Sequence, residues 1–560
     1  MNAPDGDTTP RYGMVVDLNR CVGCQTCTIA CKHANDTPPG VQWRQVLDVE
    51  RGTFPDVERL FMVVGCQHCA EPSCVPVCPT GATSQRADGL VMMDYDTCIG
   101  CGYCAVACPY QARTIGHDRE WYYGEETRQE AYVFHEERIG VASKCTFCVE
   151  RIDEAKEEGR VPGIDLDYTP ACSSSCIASA IHFGDFNNPQ SNVSLLAGEN
   201  SFFQMHEELG NDPQIKYLYE VPNSTPGRDP DPDDTEDEML SDPANPMVGK
   251  RQTFWDYRAA MNFIMGGMSS GLVVMATLAH FFSGLSSEAL LYLNVAAGAG
   301  MGIGLFFVFM EIGRKLRFWR ALMRPQSAWM TRETYAVGVF YPALLADLIW
   351  PQPALHLVVA LAALTFLYCQ ARILHAAKGI PAWRVDLVPT MLVMTGLLEG
   401  VGLLGIASGL ASWRFEASMA FISTWGAGEE ILVAQIPGRL GPGGAVLAFL
   451  NAIIWQRYFA YAKLNGVPPL ARAELQRLTP ALRLIGHLTP LVLFAIATAF
   501  SESLLAIAGA AAVAGGVMWK FTVITRACHQ QGYAMPKMPQ RGSGNRAAPA
   551  RFGGMQRSGS

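Results

Sequence analysis

Basic residues are scarce in this chain: 43 Lys and Arg stand against 52 Asp and Glu, giving a formal net charge of -9. That balance excludes nucleic acid as a partner, because neutralising phosphates takes clustered Lys and Arg and no basic stripe occurs in the first half. Also missing are a G-x-G-x-x-G turn after a plausible strand, a phosphate-cradling P-loop and any hydrolytic constellation. Substrate chemistry is therefore expected on another chain. Residues 1–13 have neither the basic and apolar regions of a secretory leader nor a twin-arginine pair, which argues against a disulfide framework. Residues 259–526 are mostly Ala, Leu, Gly, Val and Ile, and cysteine in the second half is reduced to Cys369 and Cys528.

What is present is divided just as sharply. A hydrophobic content of 49% is too high for several soluble domains, and the average conceals a Cys- and acid-rich half followed by an apolar one. Of the 18 cysteines, 16 lie between Cys21 and Cys176. Cys21, Cys24, Cys27 and Cys31 read C-x2-C-x2-C-x3-C, as do Cys98, Cys101, Cys104 and Cys108, the latter followed by Pro109. That is the spacing of a ferredoxin: three thiolates wrap one cubane and the fourth, a helical turn further on, reaches a neighbouring cluster. Cys66, Cys69, Cys74 and Cys78 repeat the device with a loop inserted, and Cys145 and Cys148 are completed by Cys172 and Cys176. Four groups of four predict four [4Fe-4S] clusters. Zinc also takes four thiolates, but as two separated pairs for each ion, whereas these trios put three thiols on one short turn.

The stretches MVVDLNRCVGCQTCTIACK, CQHCAEPSCVPVCPTGA and DTCIGCGYCAVACPY resemble the four-cluster subunits of dimethyl-sulfoxide-reductase-type molybdoenzymes, over about residues 11–220. That resemblance implies ligand sets in which groups exchange their fourth cysteine. They are Cys21, Cys24, Cys27 with Cys176; Cys31 with Cys145, Cys148, Cys172; Cys66, Cys69, Cys74 with Cys108; and Cys78 with Cys98, Cys101, Cys104. Some relatives replace one cysteine of the third group by tryptophan and lose an iron; Cys101 holds the place here. The resemblance also implies a molybdopterin-containing catalytic subunit as partner. In the second half, FWDYRAAMNFIMGG, RPQSAWMTRE, KGIPAWR, TGLLEGVGL and ITRACHQQGYAMPKMP resemble polytopic anchors of the same superfamily, that of phenylacetyl-CoA:acceptor oxidoreductase most closely.

The fold class expected is an α+β ferredoxin-type four-cluster domain (1–225), an acidic Pro/Asp-rich linker (226–253), an all-α polytopic membrane domain (254–530) and a disordered basic tail (531–560). About eight transmembrane helices are expected, at 259–282, 287–313, 333–350, 353–374, 386–411, 440–463, 480–500 and 502–526. Arg314, Lys315, Arg317, Arg320, Arg324, Arg332, Lys378, Arg384, Arg472 and Arg477 collect in alternate loops, while the opposite ones offer mainly Arg414 and Arg439, balanced by Glu416, Glu429 and Glu430. The positive-inside rule then puts the cluster domain on the cytoplasmic face of the inner membrane. An ionisable group within a span is expensive and invites a functional reading. Glu399 is a candidate for handling a quinone proton, Glu311 lies one turn from Arg314 at the cytoplasmic end where a quinone is expected to sit, and Trp329 and Arg332 border a quinone entrance, while Asp347 and Glu502 read as solvated near the opposite interface. His280, His356, His375 and His487 share no repeated spacing, so no haem is expected. The function expected is an electron-transfer and anchor subunit that passes electrons from a cytoplasmic substrate such as phenylacetyl-CoA to quinone. A quinol-fed reductase of an S- or N-oxide or sulfur compound is the alternative. From another class comes a non-redox, zinc-stabilised membrane scaffold.

Overall fold

A computed structural model describes residues 9–218, 240–412, 437–464, 466–500 and 503–534. The chain forms two compact units: residues 1–250 with 530–560, and residues 251–529.

In the first unit a short alternating segment, YGMVVD, makes strand β1 (Tyr12–Asp17). It pairs antiparallel with the strand Ile181–Asp185 and parallel with the strand Ile215–Leu218, which pairs in turn with Phe202–Phe203. The sheet thus ties the start of the cysteine-rich region to its end, bringing Cys176 back towards Cys21. A ten-residue antiparallel hairpin, β2 (Arg44–Thr53) and β3 (Asp56–Gly65), sets Arg44 opposite Gly65. The helix Thr26–Ala34 carries Cys27 and Cys31 on one buried face, one turn apart. Gly23, at φ +69°, makes the tight turn between Cys21 and Cys24, where a side chain would collide with the Phe61 ring. Eight of the cysteines belong to the main apolar core beside Met14, Val16, Val64, Phe183 and Tyr217, so the core is built around sulfur.

The same unit takes in chain from far downstream. Tyr533 is buried in that core, its N–H donating to the Met247 carbonyl at 2.8 Å and its hydroxyl to the Tyr110 carbonyl at 3.0 Å. His206 Nε2 lies 3.0 Å from the Gly532 carbonyl. Residues 531–534 of the expected tail are therefore ordered, and the segment expected as solvated linker contributes Met247 and Val248 to buried structure. The reason is apolar burial: a large aromatic and a methionine outweigh the polar residues around them. The acidic residues up to 239 and the tail after 534 lie outside the described residues.

The second unit is helical: Tyr257–Ser283, Ser287–Glu311, Trp329–Ile349, Pro353–His375, Val388–Ser412, Pro437–Leu464, Pro469–Phe500 in three consecutive stretches, and Ser503–Thr525. Among the described residues six of these bodies are long and apolar enough to cross a membrane. Trp329–Ile349, interrupted by Arg332, Glu333, Pro342 and Asp347, and Pro437–Leu464, with Arg457 near its end, are not among them. The run expected at 480–500 is the second part of a longer helix that begins at Pro469 and passes through a π-helical stretch, Leu482–Leu488. Helices cross through glycine: Gly271 meets Gly400, and Gly402 meets Gly509, backbone to backbone, with no room for a methyl group. Residues 413–436, with Arg414, Glu416, Glu429 and Glu430, and Glu502 lie outside the described residues.

Candidate metal centres

Sixteen cysteines of the first unit converge in four sets of four. Cys21, Cys24, Cys27 and Cys176 surround a first cavity, together with Val46, Val63 and Ile181. Cys31, Cys145, Cys148 and Cys172 form the second set, with the Asn35 side-chain amide 3.7 Å from both the Cys31 and Cys148 sulfurs. Cys66, Cys69, Cys74 and Cys108 line the third site, with Tyr110 and Arg113 at its wall. Cys78, Cys98, Cys101 and Cys104 line the fourth. The sets lie in a row. Cys27 neighbours Cys172 of the next set, Cys145 neighbours Cys66, and Cys74 neighbours Cys104.

The chemistry of these sites suits thiolate. Backbone N–H groups point at sulfur: Gly100 to Cys98 at 3.3 Å, Phe147 to Cys145 at 3.4 Å, Ala171 to Cys148 at 3.5 Å and Ala180 to Cys176 at 3.3 Å. Such hydrogen bonds stabilise negative charge on a ligating sulfur and help set cluster potentials. Burial, above all other causes, pushes the thiols the other way, Cys21 up to about 11 and Cys104, Cys108 and Cys172 to about 12. They lose their protons at neutral pH only when a metal takes the proton's place. Sites lined by four sulfurs fit a cubane, whose irons sit at its corners.

Cations are buried among these sulfurs, and among the described residues none is ion-paired to a carboxylate. Arg44 is fully buried, its Nη2 3.3 Å from the Met14 sulfur and its Nε and Nη1 without partners. Arg113 Nη2 donates to the Cys74 sulfur at 3.2 Å and Nη1 to Thr83 Oγ1 at 3.2 Å. Burial works against both charges, but the sulfurs around them outweigh it: Cys172, Cys145 and Cys31 for Arg44, and Cys74, Cys104, Cys66 and Cys108 for Arg113. Lys144 donates to the carbonyls of Val91 and Cys145. His68 stacks on Phe147 with ring centres 3.8 Å apart. Its Nδ1 accepts from the Val91 N–H at 3.1 Å, so the proton sits on Nε2, which donates to the Cys145 carbonyl at 3.1 Å. Burial and the nearby Lys144 hold His68 well below the usual imidazole range, and it stays neutral. None of these four residues stood out in the sequence, since an isolated Arg, Lys or His carries no signal of what the fold will bury it against.

Of the four membrane-domain candidates, Trp329 and Arg332 meet each other, while Glu311 and Glu399 have separate partners. Glu311 ends its helix, where its carboxylate accepts from the Asp256 N–H at 3.3 Å. Trp329 lies between the guanidiniums of Arg332 and Arg372, 4.2 and 5.2 Å from its ring centre, and Arg332 also donates to the Pro325 and Gln326 carbonyls. Glu399 is wholly buried and accepts from Lys520 Nζ at 2.5 Å. Gly267 and Gly516 make room for this pair. Sequence reasoning missed Lys520, and it missed Glu333, a buried carboxyl facing Gln370 and Asn262. Asp347, expected to be solvated, is fully buried and lies 2.8 Å from His356 Nδ1, because the next helix turns back immediately and sets its first turn against it.

Comparison with known proteins agrees with this division. A family model described as a 4Fe-4S dicluster domain matches residues 57–122, and one described as the DMSO reductase anchor subunit matches residues 254–434. A selenate reductase subunit of Mesobacillus selenatarsenatis is 40% identical over 222 residues, 37% of this chain and 70% of the relative. A putative dimethyl sulfoxide reductase iron-sulfur subunit of Halobacterium salinarum is 38% identical over 220 residues, 37% of this chain and 78% of the relative. A sulfite dehydrogenase subunit of Allochromatium vinosum is 38% identical over 224 residues, 37% of this chain and 82% of the relative.

Proposed function

Since the chain belongs to the family of iron–sulfur subunits of dimethyl-sulfoxide-reductase-type enzymes, here continued into a DmsC-type membrane anchor, we propose that it wires a molybdopterin-containing catalytic subunit to membrane quinone through four [4Fe-4S] clusters. The observation that carries this reading is the row of four sulfur-lined sites, each bounded by four cysteines. The ligand sets proposed are Cys21, Cys24, Cys27, Cys176; Cys31, Cys145, Cys148, Cys172; Cys66, Cys69, Cys74, Cys108; and Cys78, Cys98, Cys101, Cys104. Bound clusters supply one-electron steps. The protein's part is to hold them in line, exclude water and donate hydrogen bonds to their sulfurs.

In the anchor, quinone is proposed to contact Trp329 and Arg332 at its entrance, with Glu311 and Glu399 as candidate proton-handling carboxylates. The loop arginines and lysines favour a cytoplasmic position for the cluster unit, which suits oxidation of a cytoplasmic substrate such as phenylacetyl-CoA. The opposite flow, from quinol to a reducible substrate, is favoured by relatives named as selenate and dimethyl sulfoxide reductases. One experiment tests both levels. Protein purified without oxygen together with its catalytic partner is expected to hold about sixteen irons per chain, four for each cubane. Candidate substrates are then supplied with a quinone analogue, and candidate oxidants with its quinol. Zinc in place of iron would sink the wiring reading, and turnover with quinol alone would reverse its direction.

A further inference from the structure

The two buried guanidiniums each lie near cysteines of two sets. Arg44 faces Cys27 of the first set and Cys31, Cys145 and Cys172 of the second. Arg113 faces Cys66, Cys74 and Cys108 of the third set and Cys104 of the fourth. Each therefore lies between two sites that exchange a cysteine: Cys31 and Cys176 trade places around Arg44, Cys78 and Cys108 around Arg113. Neither has a carboxylate partner among the described residues, and an arginine cannot shed its charge to escape burial. A lone buried cation is costly unless an anion answers it. Thiolate-bound cubanes are net anionic and gain one more negative charge on reduction, so a fixed neighbouring cation favours the reduced form.

We propose that Arg44 and Arg113 are the positioning charges of the relay, each raising the reduction potentials of the two clusters it adjoins. This rests on the four-cluster reading above. A single cation shared by two clusters shifts both in one direction, so it favours their reduced forms without widening the energy gap an electron meets between them. The β2–β3 hairpin fixes Arg44 by its register against Gly65, and Thr83 and Cys74 fix Arg113. The charges are thus held by the scaffold and need no reorganisation as electrons pass.

The test uses the full chain with its catalytic partner, purified without oxygen as wild type and as Arg44→Gln, Arg44→Lys, Arg113→Gln and Arg113→Lys. Iron content and redox titrations followed by electron paramagnetic resonance are measured on each. Arg44→Gln is expected to disfavour reduction of two clusters by about tenfold, about 59 mV for a one-electron couple, leaving the other two unmoved. Arg113→Gln is expected to shift the complementary two. Both lysine variants keep wild-type potentials. Where a glutamine variant loses iron, its lysine counterpart carries the test, and potentials that stay at wild-type values there support the proposal. Full iron with unmoved potentials overturns it, as does a shift of all four clusters together or iron loss in glutamine and lysine variants alike. Too little iron in the wild type is a different result, and condemns the cluster reading itself.

Discussion

Replacing Cys101 by serine removes one of the sulfurs around the fourth site and leaves three. The expected product is a three-iron cluster at that site, seen as a new signal in the oxidised protein and as a loss of about one iron per chain, with the other clusters intact. An unchanged iron content would show that another residue takes the corner. Cysteines were legible because spacing alone tells a cubane trio from a zinc pair. Nothing comparable announces Arg44, Arg113, Lys144 or His68. Their meaning comes from what surrounds them, and Arg44 stands 13 residues from the nearest cysteine in sequence, delivered to its place by hairpin register.

Helices carry the next level. Hydropathy located the long described helices of the second unit to within a few residues, apart from the one that begins at Pro469, and it missed the short helix Lys315–Leu322; it could not say which are apolar enough to span or which charges meet. Glu399 was visible as a carboxylate in TGLLEGVGL, while Lys520 lies 121 positions away and comes to it only because glycine crossings bring three helices close. Removing one partner of such a pair leaves a buried charge unanswered. Lys520→Met is therefore expected to cost about 3–5 kcal/mol, read as lowered thermal stability in detergent. Adding Glu399→Gln is expected to recover most of it. A single variant as stable as wild type would mean that water or lipid headgroups reach the carboxylate, and that the pair is not structural.

For the whole molecule, the sidedness of the loop charges can be tried directly. Protease added to right-side-out vesicles is expected to spare the cluster unit, and in inverted vesicles to cut its exposed segment around Tyr122 and Tyr123; cleavage in the first preparation would move the unit to the outer face. The division into a cysteine-rich and an apolar half was legible from composition. The return of the chain to the first unit was not, since nothing in QQGYA distinguishes a docked segment from a free tail. That return has a consequence in time. Tyr533 is translated after the last membrane helix, yet it fills the core beside Tyr110, next to the Cys66 site. The amino-terminal unit, first to leave the ribosome, gains this piece of its core only after the described helices of the second unit have been made. Chains whose synthesis stops short of Tyr533 lack it.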